Sequence, residues 1–160
     1  MRELFFGICM LFGGVRTLAQ NANNSITVFA NTSLSFILDD PSKMEQDQTL
    51  NNAITIRVAS KKKDVTVSAK LAAFTYPFGF VPASNMLQIK WVSDNSNKDY
   101  NLVTNPISLQ ALDQPLFSQE KMKSNVQYYD YIYDFILKSQ GYLMIPGNYN
   151  FSVLFTMTQN

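Results

Sequence analysis

The side chains that most often carry chemistry are nearly missing from this chain. It contains no histidine, and its one cysteine, Cys9, sits inside an apolar run near the start. Ser-His-Asp and Cys-His nucleophilic catalysis, imidazole or thiolate zinc sites and covalent haem attachment are excluded on residue type alone. Carboxylates remain, and Asp130 and Asp134 fall on one parity of an alternating segment. Four residues of strand span about 13 Å, however, beyond the roughly 5 to 9.5 Å that the paired carboxylates of glycosidases use. Ser60 and Lys61 have the composition of a Ser-Lys dyad but lie in a turn, with nothing else pointing to them. Residues 94–99 hold two aspartates and two asparagines, yet lack the alternate-residue ligands and central glycine of a calcium loop. No phosphate-cradling glycine loop is present. The expectation is a protein that is not an enzyme, with no cofactor and no metal.

Composition narrows the remaining classes. The chain has 160 residues, 46% hydrophobic and 16% charged, with a net charge of +1. That suits one domain with a single core, and it argues against disorder and against an electrostatic grip on nucleic acid. The local basic run Lys61, Lys62 and Lys63 is followed at once by Asp64. It reads as a solvated turn that also blunts a sheet edge, with contact to an anionic surface as the competing reading.

Arg2 precedes the apolar run of residues 4–12, and Thr17, Leu18 and Ala19 place small residues at the minus-three and minus-one positions of a cleavage site. Residues 1–19 are thus expected to be a secretory signal peptide, leaving residues 20–160 as one domain without cysteine. The apolar run is shorter than the roughly 20 residues that cross a bilayer, so no membrane span is expected after cleavage. The protein should be secreted to the periplasm, the cell surface or the extracellular medium.

The elements of that domain alternate with period two. Tyr149, Phe151, Val153, Phe155 and Met157 occupy every second place after the Pro146-Gly147 turn, opposite a mostly hydroxyl and amide face. Tyr129, Tyr131, Tyr133, Phe135 and Leu137 do the same over residues 126–138, where aromatic and β-branched enrichment favours strand over helix. Ile26, Val28 and Ala30 form a first run and Leu34, Phe36 and Leu38 the next, with a kink at Asn31-Thr32. Residues 42–52 read as a polar surface loop, and residues 54–72 as a hairpin with the lysines at its tip. Leu87, Ile89 and Trp91 place the one tryptophan in the core; Ile107, Leu109 and Ala111 make a further short strand. Seven to eight mainly antiparallel strands fit an all-β, two-sheet sandwich of the immunoglobulin-like or pilin-like kind.

Two segments offer binding chemistry. Tyr76, Phe78 and Phe80, beside Pro77 and Pro82, could stack on a sugar ring or fold inward to plug one end of the sandwich. Residues 20–30 could add the face of Ile26, Val28 and Ala30 to the open edge of a neighbouring subunit, or could form the first strand of their own domain.

Several landmarks together resemble a family of small secreted β-sandwich proteins from Bacteroidota, mostly uncharacterised. The run ITIRVASKKKDVTVSAK is similar to that family's strand, polar turn and returning strand; Val81-Pro82-Ala83-Ser84 and Ile107-Ser108-Leu109 with Asp113-Gln114 resemble its next elements. The final stretch, from Pro146-Gly147 through Tyr149 to Thr158, carries most of the likeness. More distantly, that last strand looks like the terminal strand of chaperone-usher pilins and spore-coat-U-like proteins, whose subunits donate or accept strands; the cysteine pair usual in pilins is absent. The resemblance implies a cell-surface structural or adhesive subunit, fimbria-like, with copies of itself or related subunits and a periplasmic chaperone as partners. A monomeric module that binds a glycan or other surface ligand is the alternative.

Overall fold

The computed structural model describes residues 24–61, 63–121 and 127–160; the signal peptide expected over residues 1–19 lies outside them. Ten strands form among the described residues: β1 (Asn24–Ala30), β2 (Ser35–Leu38), β3 (Gln48–Ser60), β4 (Val65–Thr75), β5 (Leu87–Asp94), β6 (Asp99–Tyr100), β7 (Ile107–Ser108), β8 (Gln114–Gln119), β9 (Tyr129–Leu137) and β10 (Gly147–Gln159). A short helix, α1 (Pro41–Glu45), and a 3-10 turn at Gly141–Leu143 complete the elements. The two strongest alternations each become a strand. All five inward residues of β9 and all five of β10 are buried. Both strands lie inside their sheets, so their aromatic faces meet across the sandwich.

The strands form two five-stranded sheets, in the orders β1-β3-β9-β5-β7 and β2-β10-β4-β8-β6, with every pairing antiparallel. The pairings nest. β2 lies against β10, β3 against β9, β4 against β8 and β5 against β7. The chain is thus one long antiparallel ribbon, doubled back between β5 and β7 and rolled up so that its strands divide between the two sheets. That is the jelly-roll order. An immunoglobulin sandwich instead keeps several sequential strands side by side in one sheet. The expected two-sheet sandwich is present, but its connectivity differs from the immunoglobulin-like one; the strand expected at Ile107, Leu109 and Ala111 is reduced to β7, and two strands were not foreseen, because β6 has only two residues and β8 runs from Pro115 into four successive buried residues without alternation.

The same winding corrects the expected hairpin over residues 54–72. β3 and β4 lie in different sheets, so the lysine turn bridges the end of the sandwich instead of capping a two-stranded ribbon. Period two shows which face of a strand is inward, but Ile54, Ile56 and Val58 could face Val65, Val67 and Ala69 across a core as readily as lie beside them. The crossing is tied down locally. Ser60 Oγ donates to the Lys63 carbonyl, Lys61 N–H to Asn24 Oδ1 at 2.8 Å, and Asn160 N–H to the Asp64 carbonyl at 2.9 Å.

Two further expectations change. Residues 42–52 are not a plain loop: Asp40 caps α1, accepting from Ser42 N–H at 2.8 Å, and β3 already begins at Gln48. The early part of β3 was obscured by a wide bulge. Leu50 pairs with Phe135 and Ile54 with Tyr133, four steps on β3 against two on β9, and the alternation breaks there. Asn52 takes a left-handed φ of 48° at the bulge and donates its N–H to Asp134 Oδ1 at 2.7 Å. Trp91 is half-buried rather than a core residue, and its indole N–H reaches Asp94 Oδ2 at 3.1 Å. A partly buried indole N–H usually finds an acceptor, and the one supplied stands at the end of the same strand.

Asp130 and Asp134 also separate in role. Asp134 holds the bulge, while Asp130 accepts from Arg57 Nε at 2.7 Å and Nη2 at 2.8 Å on the outer face. The guanidinium also lies 5.2 Å from the centre of the Phe29 ring, so one ladder joins β1, β3 and β9. The Arg57 hydrogen bond holds the Asp130 carboxyl below its ordinary value. A depressed folded-state value means stabilisation that is complete above about pH 4, the unfolded value, and lost as pH falls through the folded one. With side chains 42% and 28% exposed, the pair contributes about 1 kcal/mol at most. Asp130→Asn should flatten the acid limb of a melting-temperature curve measured from pH 6 down to pH 2. An unchanged limb would show that the pair adds nothing.

Candidate functional site

One end of the sandwich gathers three connections. Register pairs Leu38–Gly147, Thr75–Asn150, Gln48–Leu137 and Leu87–Leu137 bring residues 39–47, 76–86 and 138–146 to the same end. Tyr149 organises them from below. Its buried hydroxyl donates to the Ile145 carbonyl at 2.7 Å and accepts the Ile145 N–H at 3.2 Å, fixing the loop that precedes its own strand. Burial raises this phenol above its ordinary value, so it stays neutral and can do both.

An aromatic train runs up from that ring. Phe80 stands edge-on to Tyr149 at 5.3 Å between centroids, Tyr76 edge-on to Phe80 at 5.7 Å, and Phe74 edge-on to Tyr76 at 5.4 Å. Between Tyr76 and Phe80 the chain makes a tight turn. Phe80 N–H donates to the Pro77 carbonyl at 3.2 Å, and Gly79 has a φ of 85° in the third place, which is where a type II turn needs glycine. Phe78 occupies the apex and is 104% exposed, whereas Tyr76 is 38% and Phe80 only 5% exposed.

The three rings read as either a sugar-stacking row or an inward plug are therefore divided. Phe80 belongs to the core, Tyr76 covers it with its plane tilted 74° to that ring, and Phe78 alone projects fully into solvent. On the neighbouring loop Tyr142 and Leu143 are exposed at 97% and 75%. Nothing in the sequence singled them out, since residues 141–146 have neither alternation nor charge. Around this apolar end stand ion pairs of Lys43 with Asp39 and of Lys138 with Asp47. Among the described residues no cluster of three or more carboxylate, imidazole or thiol side chains could hold a metal ion. Both carboxylate oxygens of Asp94 are taken, by Trp91 Nε1 and the Ser96 N–H.

The residues that could pair with a neighbouring subunit or within their own domain lie on β1. In the single chain β1 pairs with β3 through seven register positions, from Asn24–Ser60 to Ala30–Ile54. Val28 is buried, Ile26 packs against the core and Ala30 is exposed. Its connection to β2 passes from one sheet to the other through Asn31, Thr32 and Ser33, all exposed. β2 covers only Gly147 to Asn150 of β10. From Phe151 to Gln159, β10 has β4 as its one strand neighbour among the described residues, and this stretch contains no charge and no proline.

Comparison of the chain with protein-family models, with curated proteins and with solved structures gives no match.

Proposed function

We propose that this chain is an exported, non-catalytic subunit of a cell-surface structural or adhesive layer, joined to its copies by exchange of β1. The observation that carries the reading is the placement of β1. It is an outer strand of its sheet, held by a register that a second copy's β1 would reproduce, and tied to the rest of the chain by a short exposed connection. Exchange of an identical element costs little because each interaction broken within the chain is remade between chains. The pilin-like part of this reading is the mode of joining; the connectivity is that of a jelly roll. A fimbria-like array would follow if the exchange passes from copy to copy without closing, and a dimer if it closes.

Phe29 and Thr55 face one another across β1 and β3. Preparing Phe29→Cys and Thr55→Cys separately from residues 20–160, unfolding, mixing and refolding them should give a disulfide between the two variants. In size-exclusion chromatography with light scattering, the parent should then show multimers. A cross-link seen only when both cysteines share one chain, with a monomer at every concentration, would remove the reading.

A second reading has its own support in the exposure of Phe78 beside a polar rim. A glycan or other surface ligand could stack on that ring, and Phe78→Ala should then abolish glycan binding while changing stability by less than about 0.5 kcal/mol. Binding that survives both Phe78→Ala and Tyr76→Ala would rule the loop out.

A further inference from the structure

Most of the sandwich interior is hydrocarbon and aromatic ring, but one region on the inner face of β8 and β9 is polar. Gln119, the last residue of β8, is completely buried, and its Oε1 accepts the Tyr131 hydroxyl at 2.8 Å from the opposite sheet. Its Nε2 has no hydrogen-bond partner. Turning the amide over changes nothing essential, because Nε2 would then donate to Tyr131 and leave Oε1 unpaired. Two places further along β9, Tyr133 is 1% exposed, and its hydroxyl has no partner either.

Tyr131 connects the two: it meets Gln119 across the core and is the inward residue of β9 next to Tyr133. Tyr131 and Tyr133 occupy successive inward positions of one strand, about 7 Å apart. Phe117 stacks on Tyr131 with centroids 3.7 Å apart, which fixes the ring that presents its hydroxyl to Gln119. The backbone closes over the region, since Asp99 pairs with Gln119 and Asp94 with Tyr131. A native interior seldom leaves two such groups dry, and a water molecule makes about three hydrogen bonds where it is held between polar groups.

We propose that the space beside Gln119 and Tyr133 is a water-binding site, in which one or two enclosed waters join the free amide hydrogens of Gln119 to the Tyr133 hydroxyl. Water suits the donors: it accepts from the amide N–H and can donate to or accept from the phenol. Burial raises both phenols far above their ordinary value, so they stay neutral and act as hydrogen-bonding groups. The bound water fastens the end of β8 to the middle of β9 across the core.

The test is a high-resolution crystal structure of residues 20–160 together with the stability of Tyr133→Phe. A bound water makes the hydroxyl useful, so its removal should lower the folding equilibrium constant roughly 2- to 13-fold. A dry hydroxyl is a burden, and its removal would leave that constant unchanged or raise it. Density for a water within hydrogen-bond reach of Gln119 Nε2 or Tyr133 Oη, with the stability loss, supports the site. Absence of that density, or an unchanged or raised stability, overturns it.

Discussion

Replacing Phe151 with alanine should cost about 3 to 5 kcal/mol and lower the melting temperature by roughly 10 to 20 °C. Phe151 is 5% exposed, stacks at 5.8 Å on Phe36 of β2 and stands edge-on at 4.8 Å to Phe135 of β9. One ring therefore joins its sheet neighbour to the opposite sheet. Its loss removes burial and two aromatic contacts at once, from a fold whose whole stability is about 5 to 15 kcal/mol. Calorimetry on Phe151→Ala beside Phe78→Ala makes the comparison internal, because the same substitution at the exposed turn should be near neutral. A loss below about 1 kcal/mol at Phe151 would mean that the two sheets do not meet at this ring.

Gly147→Ala should be costly for two separable reasons. Gly147 begins β10 with a φ of 146°, and a Cβ added there would stand 2.7 Å from Cγ of Pro77. Backbone strain of this kind costs about 1 to 3 kcal/mol. Displacing a stiff proline ring from the base of the Phe78 turn adds to it. In a Pro77→Ala background the steric part should vanish and the backbone part remain, so the double mutant should be less destabilised than the sum of the single changes by at least about 0.5 kcal/mol. Strict additivity, read from urea unfolding midpoints, would show that the loop can move aside.

The sequence was most legible where one chemical pattern had one structural meaning. β9 and β10 each present five large side chains at period two, and all ten are buried. The faces of β3 and β4 were equally clear, but their partners were not, because alternation is identical whether two strands lie side by side or face to face. Extra residues hid the start of β3, where Asn52 turns left-handed and restores the register. At the aromatic end the composition announced a cluster but not its division. Phe78 and Phe80 have the same side chain, and only the turn closed by Phe80 and Pro77 sends one outward and the other into the core. Gln119 was silent in sequence, as a lone glutamine gives no sign of the tyrosine that meets it across the sandwich.

The nested pairing sets an order in time. β2 lies near one end of the described chain and its partner β10 at the other, so that pair closes the longest loop and the roll cannot be completed until β10 is available. β10 also supplies five of the buried apolar side chains, and a chain lacking it would hold an open, apolar interior. Folding dominated by such distant pairings takes milliseconds to seconds. Until β10 docks, β2 lacks its sheet partner and β4 lacks one of its two, so the vulnerable interval ends with the docking of the last strand.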